Sequence, residues 1–511
     1  MVTLRDKWEE REATIKRLKC GGGPSEIEKV HQQGKLTARE RIEKLLDQGS
    51  FQEIDLWTPA YKTGFDIDGV EAPGDAVIVG QGEINGRPVF VWAQDATVLG
   101  GTMAENHIRK IVTVMEKALK EKHPIIGMYD SEGMRIQNLV HAHSHFTPGL
   151  MMRFQTLSSG VIPQVSLVMG PCVGPAALSA VLTDFVFMVR GTSYMHVAPP
   201  PPLVTGRQIG DAKMHSGRSG CCSVLARDEG DCLEKCRELI SFLPSNNEER
   251  PPIVETGDDP NRVMEDILEV VPADLSKWFD TREVIKRAAD NGYYFEINRD
   301  YARNLSVGFA RFNGQTAGII ANNSGWKGGC EDTDSSDKHA RFTRFCDAFN
   351  IPIVYFADCP AFLPSAVEER KGILRHGTMV IHATSEATVP KINVIVRKLY
   401  GGAQLVMPVN FTKADRYLAW PTVERGVMGA AALASIVYLG RIKRAKTPEE
   451  AAEIKRRGTE VMEVQVQRFS SETNEDIIDP RLTRQAVIRA LESTRDKKEG
   501  RPPRKHENIN L

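Results

Sequence analysis

The chain has 511 residues, with 66 Lys and Arg against 67 Asp and Glu, and a formal net charge of −1. Apolar residues make up 41% and charged residues 26%, which is typical of folded globular proteins and excludes a disordered, collagen-like or wholly coiled-coil chain. The charge balance argues against a general nucleic-acid binder, which usually carries a basic excess. The length predicts two to four domains, at about 100–200 residues per domain.

The N-terminal segment, the longest apolar stretch and the cysteines together indicate a cellular compartment. The N-terminal segment MVTLRDKWEEREATIKRLK has no apolar signal-peptide core, and its acidic residues argue against a transit peptide. The longest nearly apolar stretch, 426–438, is shorter than the roughly 18 residues of a membrane span. Nine scattered cysteines fit a reducing compartment better than a disulfide framework. The sequence therefore predicts a cytoplasmic protein.

The first predicted elements follow one another closely along the chain. Thr37 and Glu40 form a capping box ahead of an apolar stripe, which predicts a helix. Residues 78–93 predict a β-hairpin that turns at Asn85-Gly86. A Gly-Gly loop, an amphipathic helix and two short apolar strands, PIIGMYD and VIPQVSLVMG, come next.

The same series recurs later in the chain. When the sequence is shifted by 228 residues, ten positions between 80 and 130 are identical, among them Asn85-Gly86 with Asn313-Gly314 and Asp130 with Asp358. GFARFNGQTAGIIA, PIVYFAD and TVPKINVIVRK repeat the hairpin and the two strands. Residues 249–262 are rich in Pro, Gly and Asp, as in a linker. We predict two homologous β-β-α halves, 1–262 and 263–511.

Glycine-rich turns follow the apolar strands in both halves. Ser131-Glu132-Gly133, the segment 170–174 and Gly401-Gly402 are the main examples. Such turns expose backbone N–H groups, which suit an enolate or alkoxide because they stabilise developing negative charge. The alternative is that these glycines only permit tight turns. No glycine-rich nucleotide-binding fingerprint follows a strand.

Two clusters could bind a metal. His141, His143 and His145 alternate, and Cys221, Cys222, Cys232 and Cys236 lie within sixteen residues. A polar loop or interface is the alternative for the histidines. Buried thiols are the alternative for the cysteines, which lack a CxxC knuckle. We predict no metal site.

Several segments resemble one known family, the carboxyltransferase subunits of biotin-dependent acyl-CoA carboxylases and decarboxylases. The closest types are the propionyl-CoA carboxylase β chain and the methylmalonyl-CoA decarboxylase α chain. The resemblance covers nearly the whole chain. The segments that carry it are KLTARERIEKLLDQGSF, GVIPQVSLVMGPC, LTDFVFMV, RFCDAFNIPIV, RHG, EATVPKINVIVRK, AWPTVERGVMGA, FLPSNN and the tail RPPRKHENINL.

The resemblance implies an α/β fold, a duplicated crotonase-like β-β-α spiral, in a homo-oligomer that is often a hexamer. It implies a carboxyltransferase that moves CO2 between carboxybiotin on a separate carrier and the α-carbon of an acyl-CoA. The acyl-CoA (coenzyme A thioester) would bind the N-terminal half, and biotin the C-terminal half of a neighbouring subunit. The implied partners are a biotin carrier protein with a biotin carboxylase, or a membrane decarboxylase partner. No nucleic acid is implied.

The resemblance also implies site residues. These are, for catalysis, Gly174, Pro175, Lys371 and Gly372; for the acyl-CoA, Ser131, Glu132, Gly133, Arg135, Val173 and Ala176; and for biotin, Ala361, Phe362, Gly401 and Gly402.

The chain departs from the family pattern at these positions. Where the family typically has Cys-Ala-Gly-Gly-Ala, this chain has Cys-Val-Gly-Pro-Ala with Pro175 in fourth place, and proline has no N–H to donate. Lys371 replaces a glycine. Three accounts stay open: a different acyl-CoA in a remodelled site, a decarboxylase α subunit of a sodium-pumping complex, or a silent structural paralogue. An unrelated acyl-CoA hydratase or isomerase would need an acid-base pair, and Glu132 is a lone candidate.

Overall fold

The computed structural model describes residues 2–139 and 147–509, and divides them into two compact units, 1–250 and 251–511. The boundary lies near the start of the predicted linker, ahead of the predicted domain boundary at 262. No helix in the described ranges is long and apolar enough to cross a membrane.

Unit 1 is built on one mixed sheet. Its strands are β1 Gln52–Ile54, β2 Val77–Ile84, β3 Arg87–Gln94, β4 Ile125–Ser131, β5 Gln164–Val173, β6 Phe185–Val189, β7 Tyr194–His196 and β8 Val224–Ala226. The strand order is β1-β2-β3-β4-β5-β6-β8, and β7 pairs with the end of β5. The first three strands are antiparallel, and the pairs from β3 onward are parallel.

The helices of unit 1 surround this sheet. They are α1 Leu4–Lys19, α2 Pro24–Gln32, α3 Ala38–Leu45, α4 Glu105–Glu121, α5 Ile136–Leu139, α6 Pro148–Ser158, α7 Pro175–Leu182, α8 Gly206–Gly210, α9 Ala212–Met214 and α10 Glu229–Phe242. The capping box predicted at Thr37 and Glu40 starts α3. Helix α4 buries its apolar face against the sheet, and β4 is buried along its whole length, as expected of a parallel strand covered on both faces.

Unit 2 repeats this sheet. Its strands are β9 Tyr294–Ile297, β10 Leu305–Phe312, β11 Gln315–Asn322, β12 Ile353–Cys359, β13 Lys391–Tyr400, β14 Arg416–Ala419, β15 Glu424–Gly426 and β16 Asp476–Ile477. The order β9-β10-β11-β12-β13-β14-β16, with β15 on the end of β13, matches unit 1 strand for strand. The duplication predicted from the sequence is therefore present in the fold.

The helices of unit 2 include the longest one described. They are α11 Ile267–Val270, α12 Thr281–Ala288, α13 Thr333–Ala348, α14 Ala366–Lys371, α15 Ile373–Glu386, α16 Ala403–Val406, α17 Ala430–Val437, α18 Leu439–Ile442, α19 Pro448–Glu472 and α20 Thr483–Thr494. Helix α13 occupies the position of α4. Each of these helices is followed by a fully buried strand that runs parallel to both of its neighbours, β4 in unit 1 and β12 in unit 2.

The two hairpins explain why the repeat is visible in the sequence. Asn85 and Gly86 have φ of 53° and 70°, and Asn313 and Gly314 have φ of 50° and 76°. Both turns therefore need two left-handed residues in succession, which Asn-Gly adopts most readily. The turn fixes the register of β2 with β3 and of β10 with β11 in the same way.

Candidate functional site

Two turns of unit 1 lie together at one edge of its sheet. Strands β4 and β5 run parallel, with Ser131 opposite Cys172, so the segments that follow them leave the sheet on the same side. A Cβ added to Gly133 would lie 3.4 Å from the carbonyl oxygen of Val173. Gly133 also has a φ of 104°, so glycine is needed for the conformation, whereas a Cβ would be in ordinary van der Waals contact with Val173.

The first turn, residues 131–133, is held by short hydrogen bonds. The N–H of Gly133 donates to Oγ of Ser131 over 3.1 Å, and its carbonyl accepts from the N–H of Met103 over 2.8 Å. Ser131 and Gly133 are buried, whereas Glu132 is exposed. The N–H of Glu132 makes no hydrogen bond to a described residue, so the turn presents one free donor.

The second turn, residues 173–176, leads into α7. Gly174 has φ 62° and ψ −124°, and its N–H donates to the carbonyl of His196 over 2.9 Å. Pro175 is the first residue of the helix and contributes no N–H. Ala176 is buried, and Val173 pairs with His196 in the β5–β7 ladder.

Arg135 is buried beside the first turn, where it contacts protein groups. Its guanidinium donates to Oδ1 of Asp75 over 2.6 Å and to the carbonyl of Thr102 over 3.0 Å. It also lines a cleft of about 220 Å³ together with Tyr61 and Leu99. The predicted contact of Arg135 with substrate stays a prediction, and its contact with Asp75 shows that it also stabilises the loop around that aspartate.

Three side chains near these turns were not predicted. Tyr194 and His196 stack with ring centroids 5.9 Å apart, and the guanidinium of Arg207 lies 6.0 Å from the centroid of the Tyr194 ring. Burial, and after it the nearby carboxylate of Glu132, raises the pKa of Tyr194. Tyr194 and His196 were missed because only the pairing of β7 with β5 brings them to the turns, and no local motif marks such a short strand. Arg207 was missed because it reaches Tyr194 from α8.

The first turn of unit 2 follows β12 and repeats the geometry of unit 1. The N–H of Glu331 donates to the carbonyl of Ala361 over 3.0 Å, and the N–H of Leu363 donates to the carbonyl of Glu331 over 2.7 Å. Met103 makes the corresponding pair of bonds, with Gly133 and Arg135. Ala361 and Phe362 therefore occupy the places of Gly133 and Met134.

The second turn of unit 2 follows β13. Gly401 has a φ of 52°, and its N–H donates to the carbonyl of Gly426 over 2.9 Å, as Gly174 does to His196. A Cβ on Gly402 would lie 2.9 Å from the ring of Phe362, so the two turns are in contact. The N–H of Gly402 makes no hydrogen bond to a described residue.

Lys371 and Gly372 lie at the junction of α14 and α15. Gly372 has a φ of 89° and separates the two helices. The Lys371 ammonium lies 3.3 Å from the Glu368 carboxylate and is about half exposed. The carboxylate of Asp334, with a contribution from Glu368, raises the pKa of Lys371. Residue Gly377 of α15 approaches Phe362, which connects this helix to the first turn.

Each unit has a proline in one of its two turns, but the turn that contains it differs between the units. Under the 228- and 227-residue shifts, Glu132 corresponds to Pro360, and Pro175 corresponds to Gly402. In unit 1 the N–H of Glu132 on the first turn and that of Ala176 at the start of α7 make no hydrogen bond to a described residue, and in unit 2 the N–H of Gly402 on the second turn makes none. The prolines therefore lie in different turns of the two units, and each pair of turns retains an N–H donor.

Of the two side-chain clusters considered as metal sites, the structure describes the cysteines and not the histidines. Cys222, Cys232 and Cys236 are buried free thiols, and Cys221 is partly buried. Within residues 2–139 and 147–509, no group of three His, Cys, Asp or Glu side chains could hold a metal ion. His141, His143 and His145 lie outside the described residues.

A duplicated α/β spiral with paired turns after its parallel strands defines a crotonase-like protein. Residues 29–509 match the carboxyl transferase domain model, and the chain belongs to that family. The family resemblance and the fold class predicted from the sequence are confirmed.

Named relatives and a solved structure are similar along the full length. The chain is 44% identical to the methylmalonyl-CoA decarboxylase subunit alpha of Veillonella parvula and 39% identical to the propionyl-CoA carboxylase beta chain of Roseobacter denitrificans, each over 100% of both chains. Transcarboxylase 12S, a hexamer described with methylmalonyl-CoA bound, matches with a TM-score of 0.94 at 38% identity, over 100% of this chain and 99% of that one. The chain is a carboxyltransferase of the biotin-dependent carboxylase and decarboxylase type.

Proposed function

We propose that this subunit moves a carboxyl group between biotin on a separate carrier protein and the α-carbon of an acyl-CoA. The acyl-CoA binds the N-terminal domain predicted at 1–262, and biotin binds the C-terminal domain predicted at 263–511. The observation that carries the proposal is the pair of turns at the sheet edge of each unit, each with an N–H group free to donate. Two such sites suit a reaction that has two carbonyl-bearing substrates.

On the acyl-CoA side, the turns hold the thioester. Loss of CO2 or of a proton from the α-carbon places negative charge on the thioester oxygen, and a fixed N–H group stabilises that charge as it develops. The N–H of Glu132 is one donor available there, next to Gly133, whose φ of 104° sets the shape of the turn. Pro175 removes a second donor, which makes this site weaker than one with glycine at that position.

On the other side, the residues fit biotin. The free N–H of Gly402 suits the ureido oxygen, and the Phe362 ring gives an apolar wall directly beside it. Glycine at 402 is what lets this ring lie against the backbone, because a side chain there would meet it at 2.9 Å. When bound, biotin supplies the ureido group that carries the carboxyl group. Lys371 brings a positive charge to the start of α15.

Decarboxylation of a methylmalonyl-CoA-like thioester is the direction we favour. The 44% identity to a methylmalonyl-CoA decarboxylase subunit alpha supports it. The partners that we propose for this chain are a biotin carrier protein and a membrane decarboxylase partner. Assembly into six copies is supported by the match to the transcarboxylase 12S hexamer. Pro175 favours a second candidate, a silent paralogue that assembles beside an active subunit.

Turnover by the purified chain tests the proposal. The chain is incubated with free biotin and a panel of malonyl-, methylmalonyl-, glutaconyl- and aryl-substituted malonyl-CoA, and mass spectrometry follows the loss of CO2. We expect biotin-dependent decarboxylation of at least one member. No loss from any member, while a family enzyme is active in parallel, would contradict the proposal and favour the silent paralogue.

A further inference from the structure

One buried face of unit 2 is polar, whereas the equivalent face of unit 1 is apolar. We call the buried polar residues of unit 2 the polar stripe. Four buried residues, on α13 and just before it, are polar, although their counterparts 228 positions earlier are buried and apolar. The unit 2 residues are Glu331, Ser336, His339 and Thr343, and their unit 1 counterparts are Met103, Ile108, Ile111 and Met115. The fold itself is therefore satisfied by an apolar stripe, and the polar one in unit 2 needs another explanation.

Glu331 and His339 form the centre of this stripe. Oε1 of the carboxylate lies 2.8 Å from Nδ1 of the imidazole, and both side chains are 0% exposed. Oε2 of Glu331 and Nε2 of His339 have no hydrogen-bond partner among the described residues. A half-satisfied buried pair is costly compared with the methionine and isoleucine of unit 1, so stability does not account for it.

The pair lies directly behind the turn that faces biotin in our proposal. The backbone of Glu331 donates to the carbonyl of Ala361 and accepts from the N–H of Leu363. These two hydrogen bonds hold the residues on either side of Phe362. The Glu331 side chain is in turn fixed to α13 by His339. Because the pair fixes the residue whose backbone makes both bonds, we expect a change in the pair to shift the segment that holds Phe362 against Gly402.

We propose that Glu331 and His339 are a positioning pair that holds the Ala361–Leu363 segment in register for the biotin half of the reaction. The inference rests on the proposed function for the identity of the ligand. The pair touches the segment through the backbone of residue 331 and does not itself contact the reacting atoms. The unit 1 segment Gly133–Arg135 is held by Met103 without such a pair, so the effect belongs to one half-reaction only.

The test exchanges the pair for its unit 1 counterpart. The double variant E331M/H339I places side chains that already pack at the equivalent positions of this fold, so it is expected to remain folded. We expect its KM for free biotin in the decarboxylation assay to rise about ten-fold or more, since small displacements of positioned groups have large effects. The KM for the acyl-CoA is expected to stay within two-fold. E331Q keeps an acceptor at Oε1 and is expected to recover most of the wild-type KM for biotin.

T316V is the matched control. Thr316 has a buried hydroxyl without a partner in the described residues, and lies at the hairpin end of β11, away from the segment. It is expected to leave both KM values unchanged. Equal KM values for biotin in the wild type and E331M/H339I, or an equal rise for biotin and acyl-CoA, would overturn the inference.

Hydrogen exchange separates this inference from the proposed function. Within residues 360–365, the amides of Ala361, Phe362, Leu363 and Ser365 are expected to exchange at least ten-fold faster in E331M/H339I than in the wild type. Those of 131–136 are expected to exchange at the same rate. If the wild type turns over no thioester, the proposed function fails while this comparison still decides the positioning role. Unchanged exchange at 360–365 would overturn it. If the double variant does not fold, H339Q is measured in the same two assays with the same expected direction.

Discussion

Two buried aspartates occupy equivalent positions in the two units, at the ends of β4 and β12. Asp130 contacts Lys35 and Arg41 at 2.8 Å each, and Arg41 also contacts Glu229. Asp358 contacts Arg397 at 2.7 Å. Asp358 is the one carboxylate in an ion pair with Arg397 among the described residues. The shared aspartate is visible in the sequence repeat, but its arginine partner comes from α3 in one unit and from β13 in the other.

Replacing Asp358 is expected to lower the free energy of unfolding more than replacing Asp130. D358N leaves the fully buried Arg397 without a carboxylate, so we expect the free energy of unfolding to fall by about 3–5 kcal/mol. D130N is expected to cost less, because the fully buried Arg41 keeps Glu229, although Lys35 loses its carboxylate partner. Urea titrations measure both. E453Q on the exposed face of α19 serves as a control and is expected to leave the free energy of unfolding nearly unchanged, because exposed ion pairs contribute little. A larger loss for D130N than for D358N would contradict this account.

Pro175 is the residue whose chemistry differs most from the family pattern. P175G restores an N–H at the start of α7, and Gly174 already supplies the turn with φ 62°. We expect decarboxylation to become faster by about ten-fold or more, since removal of one such donor costs about 10²–10³ in a hydrolase. G402P makes the reverse change in unit 2 and is expected to lower the biotin-dependent rate. An unchanged rate for P175G on every thioester tested would refute the missing-donor argument.

At the scale of elements, buried lysines fasten a helix to a neighbouring strand in both units. Nζ of Lys110 on α4 donates to the carbonyl of Val77 over 2.6 Å, and Nζ of Lys338 on α13 donates to that of Leu305 over 2.6 Å. Lys338 also donates to the carbonyls of Asn298 and Tyr301. Burial lowers the pKa of Lys338 to about 7 and that of Lys110 to about 8.

These lysines predict a pH-dependent stability. Between pH 7 and an unfolded-state pKa of about 10.4, the unfolded chain binds more protons at Lys338 than the folded chain does, so the free energy of unfolding rises with pH in that window. The slope from this residue is about 1.4 kcal/mol per pH unit at most. Urea titrations at pH 7, 8 and 9 should show a smaller slope for K338M than for the wild type. The exposed K286M is the control, and equal slopes for K338M and the wild type would rule the effect out.

At the scale of the whole molecule, each unit carries its own sheet and its own pair of turns, and apolar side chains lie exposed on unit 2. Ile436 and Val437 at the end of α17 are 60% and 59% exposed, and Leu439 at the start of α18 is 46% exposed. An apolar group of this kind is typical of an interface. Together with the match to a hexamer, it supports contact with another copy of this chain.

Assembly is therefore expected to depend on this patch. Light scattering on the wild type should give the mass of six chains, and I436D/V437D should give smaller species, because two charges would be buried at the contact. L268D changes a similarly exposed residue on α11 and is expected to keep the wild-type mass. A six-chain mass for I436D/V437D would show that the contact lies elsewhere.

The duplicated elements were predictable because their signals are local. Asn-Gly predicts the two hairpins, the capping box at Thr37 predicts the start of α3, and apolar runs predict β4 and β12. Each of these signals lies within a few consecutive residues. The location of the glycine turns after parallel strands followed from the same pattern. The roles of the residues in those turns did not, because they depend on which N–H groups the fold leaves unbonded.

The repeat, the β-β-α order, the family and the position of the turns were all predictable from the order of the residues. The repeat, the element order and the turns depend on periodicity and on the special conformations of glycine and proline. Three features required the folded chain: the hydrogen bonds from Gly174 to His196 and from Gly401 to Gly426, the contact of Phe362 with Gly402, and the buried pair of Glu331 and His339. These contacts join residues that are distant in the chain. Parallel pairing and helix packing create them, and no short stretch of sequence encodes either.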